Sequence, residues 1–226
     1  MTVVHRMDVL RGADAAPADR ALSGVQRALR EQALELARED GLVDAAYCYR
    51  IVALERIAGG TLHTGGEALH APRLLPASGK LTALAFGVCT IGAALEARAA
   101  RLFAERRRSL ALALDALGNE LLFCLSRRAQ DRMLADARAR GLSMAGELRA
   151  GDPGLALEAQ GPVLRLAGAR ALGVELTRGG VMRPLKTTSM VLGVGLELPA
   201  VRWSRCDCCP SRARCTVARR QAAALA

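Results

Sequence analysis

Residues 109–140, SLALALDALGNELLFCLSRRAQDRMLADARAR, carry one long helical pattern that ends at Gly141, and whatever surrounds it must pack against a helix of that size. Gly118 lies in its interior. Glycine there costs roughly 1 kcal/mol against alanine, so a close backbone contact is expected at that point. Just upstream, LTALAFGVCT (81–90) reads as a buried strand that runs into IGAALEARAARLFAERRR, a helix with its arginines turned outward.

The remaining segments fill in an α+β pattern. Residues 17–40 place Leu22, Val25, Leu29, Ala33 and Leu36 on one helical face, with Gly41 as a stop. AAYCYRIVALERI (45–57) is rich in strand formers and predicts one or two strands. Residues 58–80 are turn-rich and predict a connector with a single short strand. RAGDPG (149–154) is a loop, in which Asp152 before Pro153 is a good turn former. In LALEAQGPVLRLAG the Gly161–Pro162 pair must interrupt a helix or begin a new one. ALGVELTR and TTSMVLGVGLEL read as strands flanking a Gly-Gly turn. Much of the 51% hydrophobic content is Ala and Leu and only 3% of the chain is aromatic, which favours helix-rich packing over an all-β sandwich. The reading is one α+β domain over 1–200 and a cysteine-rich basic tail over 201–226.

The net charge of +10 invites a nucleic-acid reading, but the arginines are spread along helices instead of gathered in one stripe. Only Lys80 and Lys186 among the 32 basic residues are lysines. No secretory leader is visible in MTVVHRMDVLRG, and the longest apolar run, residues 81–95, is too short for a membrane span of about 20 residues. A cytoplasmic protein without membrane partners is expected. There is no Ser in a G-x-S-x-G setting and no G-x-G-x-x-G after a strand, so the sequence offers no catalytic constellation.

Four of the seven cysteines crowd into RCDCCPSRARC: Cys206, Cys208, Cys209 and Cys215. Closely spaced thiolates let one turn of backbone wrap an ion or cluster, and the flanking arginines favour the thiolate form. Zinc and an iron–sulfur cluster both suit this spacing. An inert reduced tail, a redox switch and a small zinc knuckle using Trp203 to stack on a base are the alternatives; the last lacks a His ligand and a second C-x-x-C. Cys48, Cys89 and Cys124 lie in apolar segments and read as small core residues, and His63 and His70 as surface histidines.

Read together, several stretches resemble the reactivation domain of cobalamin-dependent methionine synthase, and in particular its stand-alone bacterial forms. VCTIGAALEARAARLF is similar to that family's T-x-G-x-x-L-E segment, through Thr90, Gly92, Leu95 and Glu96. LALDALGNELLFCLSRRAQD resembles its long L-D-A-x-G helix, through Leu114, Asp115, Ala116 and Gly118. GVELTRGGVMRPLKTTSMVLGVG is similar to its G-x-x-L-T-x-x-x-x-M-x-P-x-x-S-x-S segment, through Thr177, Met182, Pro184, Lys186 and Ser189. The C-x-x-C-x5-C of Cys206, Cys209 and Cys215 resembles the tail of the stand-alone members.

The resemblance implies a curved antiparallel sheet with flanking helices, and a role beside a corrinoid. In that family an oxidised cob(II)alamin is returned to methylcobalamin by one electron plus the methyl group of S-adenosylmethionine. The cobalamin would come only with a partner protein, a corrinoid-binding methyltransferase. A separate donor such as a flavodoxin or ferredoxin would supply the electron. Cofactor-binding positions carried over or adjacent are Asp115, Glu120, Arg149, Gly151, Asp152, Thr177 and Lys186. The family's R-x-x-P-G-Y loop is altered: Gly151 is kept, Ala150 and Asp152 stand for the proline and tyrosine, and Glu147 for the arginine. The family's helix carboxylates fall at Asn119 and Phe123, with Glu120 adjacent. A metal-binding interaction protein that has lost S-adenosylmethionine binding is therefore the alternative reading.

Overall fold

The computed structural model describes residues 2–11, 13 and 22–199. The first short strand, β1 (Val4–Arg6), precedes α1 (Gly24–Glu39). Ser23 starts α1 with a reciprocal capping box: its hydroxyl accepts from Gln26 N, and the Gln26 side chain accepts from Ser23 N. The segment at 46–58 forms one strand, β2 (Ala46–Ala58). The turn-rich stretch after it contains not one strand but two, β3 (Thr61–Thr64) and β4 (Glu67–His70), folded as a hairpin. Period-two patterning is too brief in four-residue strands to be read against the surrounding glycines. Next come β5 (Lys80–Thr90), α2 (Ala94–Ala104) and α3 (Arg108–Arg138). Then follow β6 (Ser143–Leu148), α4 (Gln160–Ala167), a small hairpin of β7 (Glu175–Leu176) and β8 (Met182–Arg183), and β9 (Thr187–Leu196). Pro162 sits in the first turn of α4, where its missing N–H costs nothing.

The main sheet runs β4-β3-β2-β5-β9-β6, with β1 also paired to β2, and every pairing is antiparallel. Register shifts in the β2–β3, β5–β9 and β6–β9 pairings add local bends to the sheet. One face is covered by α1, α2 and α3; their core residues, among them Leu34, Leu95, Leu114 and Leu125, meet Ala85, Met190 and Leu192 of the sheet. The other face is covered by α4, whose Val163 and Ala167 meet Leu84, Phe86 and Val191. A sheet buried on both faces explains why β5 and β9 read as near-continuous apolar runs.

Among the described residues, α3 alone is long and apolar enough to cross a membrane by length and composition. Its leucines at 110, 114, 117, 121 and 125 instead fill the core on a single stripe. Arg98 of α2 does not face out as expected: its side chain lies half-buried between Asp40 and Glu105. Cys48 and Cys89 are core residues, and Cys124 is half-buried.

Candidate functional site

The start of β9 is held from three directions. Glu96 on α2 accepts hydrogen bonds from Leu185 N (2.7 Å) and Lys186 N (3.3 Å). The Lys186 carbonyl accepts from Ile91 N (3.2 Å) and from the Thr90 hydroxyl (3.3 Å). Thr187 Oγ1 donates to Thr90 Oγ1 at 3.0 Å. The Thr90–Gly92–Leu95–Glu96 pattern seen in the sequence is therefore a clasp. Thr90 and Glu96 grip the backbone around Lys186, Gly92 turns the chain at φ +79°, and Leu95 anchors α2 in the core.

The Lys186 side chain then runs across α3. A Cβ at Gly118 would lie 2.8 Å from Leu95 Cδ2 and 3.3 Å from Lys186 Cε, so glycine clears the lane through which the lysine stem passes. The close approach foreseen at Gly118 is thus to side chains, not to another backbone. Beyond it the Lys186 ammonium pairs with Asp115 Oδ1 and donates to Asn119 Oδ1, both at 2.7 Å. The lysine side chain is only 11% exposed, against 48% for Asp115.

These groups line a cleft of about 460 Å³ between α3 and the start of β9, together with Leu122, Phe123, Ser126, Arg149 and Thr188. That volume is within the range of small-molecule sites. Arg149 Nη1 donates to Thr188 Oγ1 (2.6 Å), while its Nε and Nη2 bond Glu147 Oε1 at 3.0 and 2.8 Å. Lys186 immediately precedes β9 and Thr188 lies within it, and both line the cleft together with Arg149. A larger hollow of about 720 Å³ runs along α1, but its lining among the described residues comes from that one helix, whereas the α3–β9 cleft is walled by several elements.

The structure thus brings Asp115, Arg149 and Lys186 together and leaves four other candidates elsewhere. Glu120 turns to α1, where its carboxylate accepts from Arg30 Nη2 at 3.1 Å. Five residues along a helix is about 140° of rotation from Asp115, enough to change faces. Asp152 Oδ2 accepts from Arg149 N (2.9 Å) and closes the turn that contains Gly151, at φ +92°. Neither residue lines the cleft. Thr177 closes the β7–β8 hairpin: its N–H donates to Val181 O, and its hydroxyl accepts from Val181 N. Cys206, Cys208, Cys209 and Cys215 lie outside the described residues, among which no group of three or more His, Cys, Asp or Glu side chains is placed to hold a metal. Glu96, Asn119, Phe123 and Thr188 complete the cleft. Glu96 was visible as a motif residue, and Asn119 and Phe123 as the positions at which the resembled family's helix carboxylates fall; Thr188 had no sequence signal beyond its spacing from Lys186.

No family model matches the chain, and no curated protein matches it. Among solved structures it is similar to a crystal structure described as the MetH reactivation domain bound to AdoHcy. The likeness has a TM-score of 0.65 at 12% identity, and covers 90% of this chain and 80% of that one. The fold is that of the MetH reactivation domain. At such low identity the likeness rests on the arrangement of elements: the antiparallel sheet, the long helix α3, and helices on both faces.

Proposed function

We propose that this chain serves a corrinoid-dependent methyltransferase of the methionine synthase kind, in reactivation or redox maintenance, with an S-adenosyl ligand seated in the cleft between α3 and β9. The observation that carries the reading is the likeness, over 90% of the chain, to a reactivation domain that was crystallised with AdoHcy. The cleft's chemistry agrees with it. Arg149 suits a ligand carboxylate, Asp115 suits an ammonium group, and the exposed Phe123 ring offers a face for an adenine. An S-adenosylmethionine held there would supply a methyl group; the residues of this chain bind and orient it, and the corrinoid belongs to the partner. The electron comes from a separate donor, such as a flavodoxin or ferredoxin.

The test is anaerobic. The full chain, a cobalamin-carrying methyltransferase in its cob(II)alamin state, S-adenosylmethionine and a reduced flavodoxin are mixed, and the visible spectrum is followed. Loss of the cob(II)alamin absorption that depends on the chain is the expected result. An unchanged rate without the chain, together with no complex in sedimentation, contradicts the reading.

A second reading is favoured by the loop at 147–154, where Glu147 is committed to Arg149 and Asp152 to the turn. On that reading the fold is a platform for protein contacts and the tail cysteines, Cys206, Cys208, Cys209 and Cys215, bind zinc or an iron–sulfur cluster. Metal and sulfide analysis of anaerobically purified protein separates the cases: iron with sulfide supports electron delivery, stoichiometric zinc a structural or docking tail.

A further inference from the structure

We propose that the turn joining α2 to α3 is a docking surface for an acidic protein, with Arg101, Arg106, Arg107 and Arg108 receiving its carboxylates and Phe103 its apolar contact. All five residues are exposed, and 106–108 is the only run of three arginines in the chain. The side chains of these four arginines make no ion pair among the described residues. Glu105, the one acidic residue between Glu96 and Asp115, is held instead by Arg98 at 3.2 Å. Elsewhere in the fold Arg30, Arg149 and Arg165 each find a carboxylate.

The backbone at this turn is set against the residues it carries. Two bonds close the end of α2, Arg107 N to Leu102 O (2.9 Å) and Arg106 N to Phe103 O (3.1 Å), and they call for a left-handed residue just past the helix. α1 and α3 end in the same pair of bonds, and there that residue is Gly41 at φ +58° and Gly141 at φ +70°. At α2 it is Arg106, at φ +63°, where a side chain is strained. Arg107 and Arg108 then open α3 with no side-chain cap and no acidic residue in the first turn, which sets positive charge against the positive end of the helix dipole. Backbone strain of this kind clusters at functional positions, and the charge repulsion is relieved when carboxylates arrive. The arginine fork matches carboxylate geometry. A nucleic-acid track instead uses a groove of cations with rings for successive bases, whereas this turn carries one ring, Phe103. Arg108 stands about 10 Å along α3 from Asp115, so a protein seated on the turn borders the cleft.

The probe is a fluorescein-labelled deca-glutamate peptide, titrated with the full chain at low salt and followed by anisotropy. A labelled ten-nucleotide oligothymidylate serves as the nucleic-acid arm. The double variant Arg107→Gln, Arg108→Gln is expected to bind the peptide on the order of tenfold more weakly. The double variant Arg138→Gln, Arg140→Gln removes the same charge from exposed positions at the far end of α3 and should bind as the wild type does. Arg106→Gly should weaken peptide binding while raising the Tm, because glycine relieves the left-handed backbone; a merely structural arginine would not move the two in opposite directions. No binding of the peptide, equal weakening in both double variants, tighter binding of the oligonucleotide than of the peptide, or a lower Tm for Arg106→Gly each overturns the proposal. None of these outcomes depends on what occupies the cleft between α3 and β9, so the S-adenosyl reading stands or falls separately.

Discussion

Alanine at position 118 would ordinarily strengthen an exposed helix by about 1 kcal/mol. Here its methyl group would press on Leu95, which is fully buried, and on the Lys186 stem. Overpacking of that kind costs roughly 1–3 kcal/mol, so Gly118→Ala is expected to destabilise in urea unfolding. A stabilised variant would mean that the lane past α3 is not needed. Glu96 offers a second test. Its carboxylate serves two N–H groups, and Glu96→Ala leaves both without that partner. Amide exchange at Leu185 and Lys186 should accelerate, with about 1–3 kcal/mol lost locally. At this scale the sequence pattern made Thr90, Gly92, Leu95 and Glu96 stand out, but not their purpose, because the clasp closes on a segment some ninety residues away. Glu120 was misplaced for a simpler reason. Sequence adjacency to Asn119 says nothing about helical face, and its neighbour across the fold is Arg30.

Elements were legible in proportion to how fully they are buried. The helix α3 and the strands β5 and β9 carry long apolar patterns because each is packed along most of its length. The strand β6 was missed: SMAGEL is half-buried, has Gly146 at φ +68° where its register shifts, and becomes a strand only by pairing with β9. The β3–β4 hairpin was undercounted because its strands are four residues each. Since α3 supplies one wall of the cleft and the spine of the core, its packing can be tested directly. Leu114 is fully buried one residue before Asp115, and Leu114→Ala should cost about 2–5 kcal/mol by denaturant midpoint. A cost below 1 kcal/mol would mean that the α3 stripe is not the core that the structure places there.

For the molecule as a whole, the thiols in the sheet link stability to pH. Burial pushes Cys48 up to about 11 and Cys89 up to about 12 from an ordinary value of 9.0. The folded state therefore holds these protons more tightly than the unfolded chain does. Their contribution is complete below pH 9 and is lost as pH rises through 11 and 12. Burial raises Tyr47 and Tyr49 as well, in the same direction. Thermal unfolding should shift to lower temperature from pH 9 upward, and the Cys48→Ala, Cys89→Ala double variant should flatten part of that slope. The identical slope in both proteins would contradict the assignment.

Ligand binding in the cleft between α3 and β9 can be mapped residue by residue. Isotope-labelled full-length protein titrated with S-adenosylhomocysteine should show backbone amide shifts concentrated at Asn119, Phe123, Arg149 and residues 186–188. Shifts confined to other surfaces, or none at millimolar ligand, would contradict the placement of the site between α3 and β9.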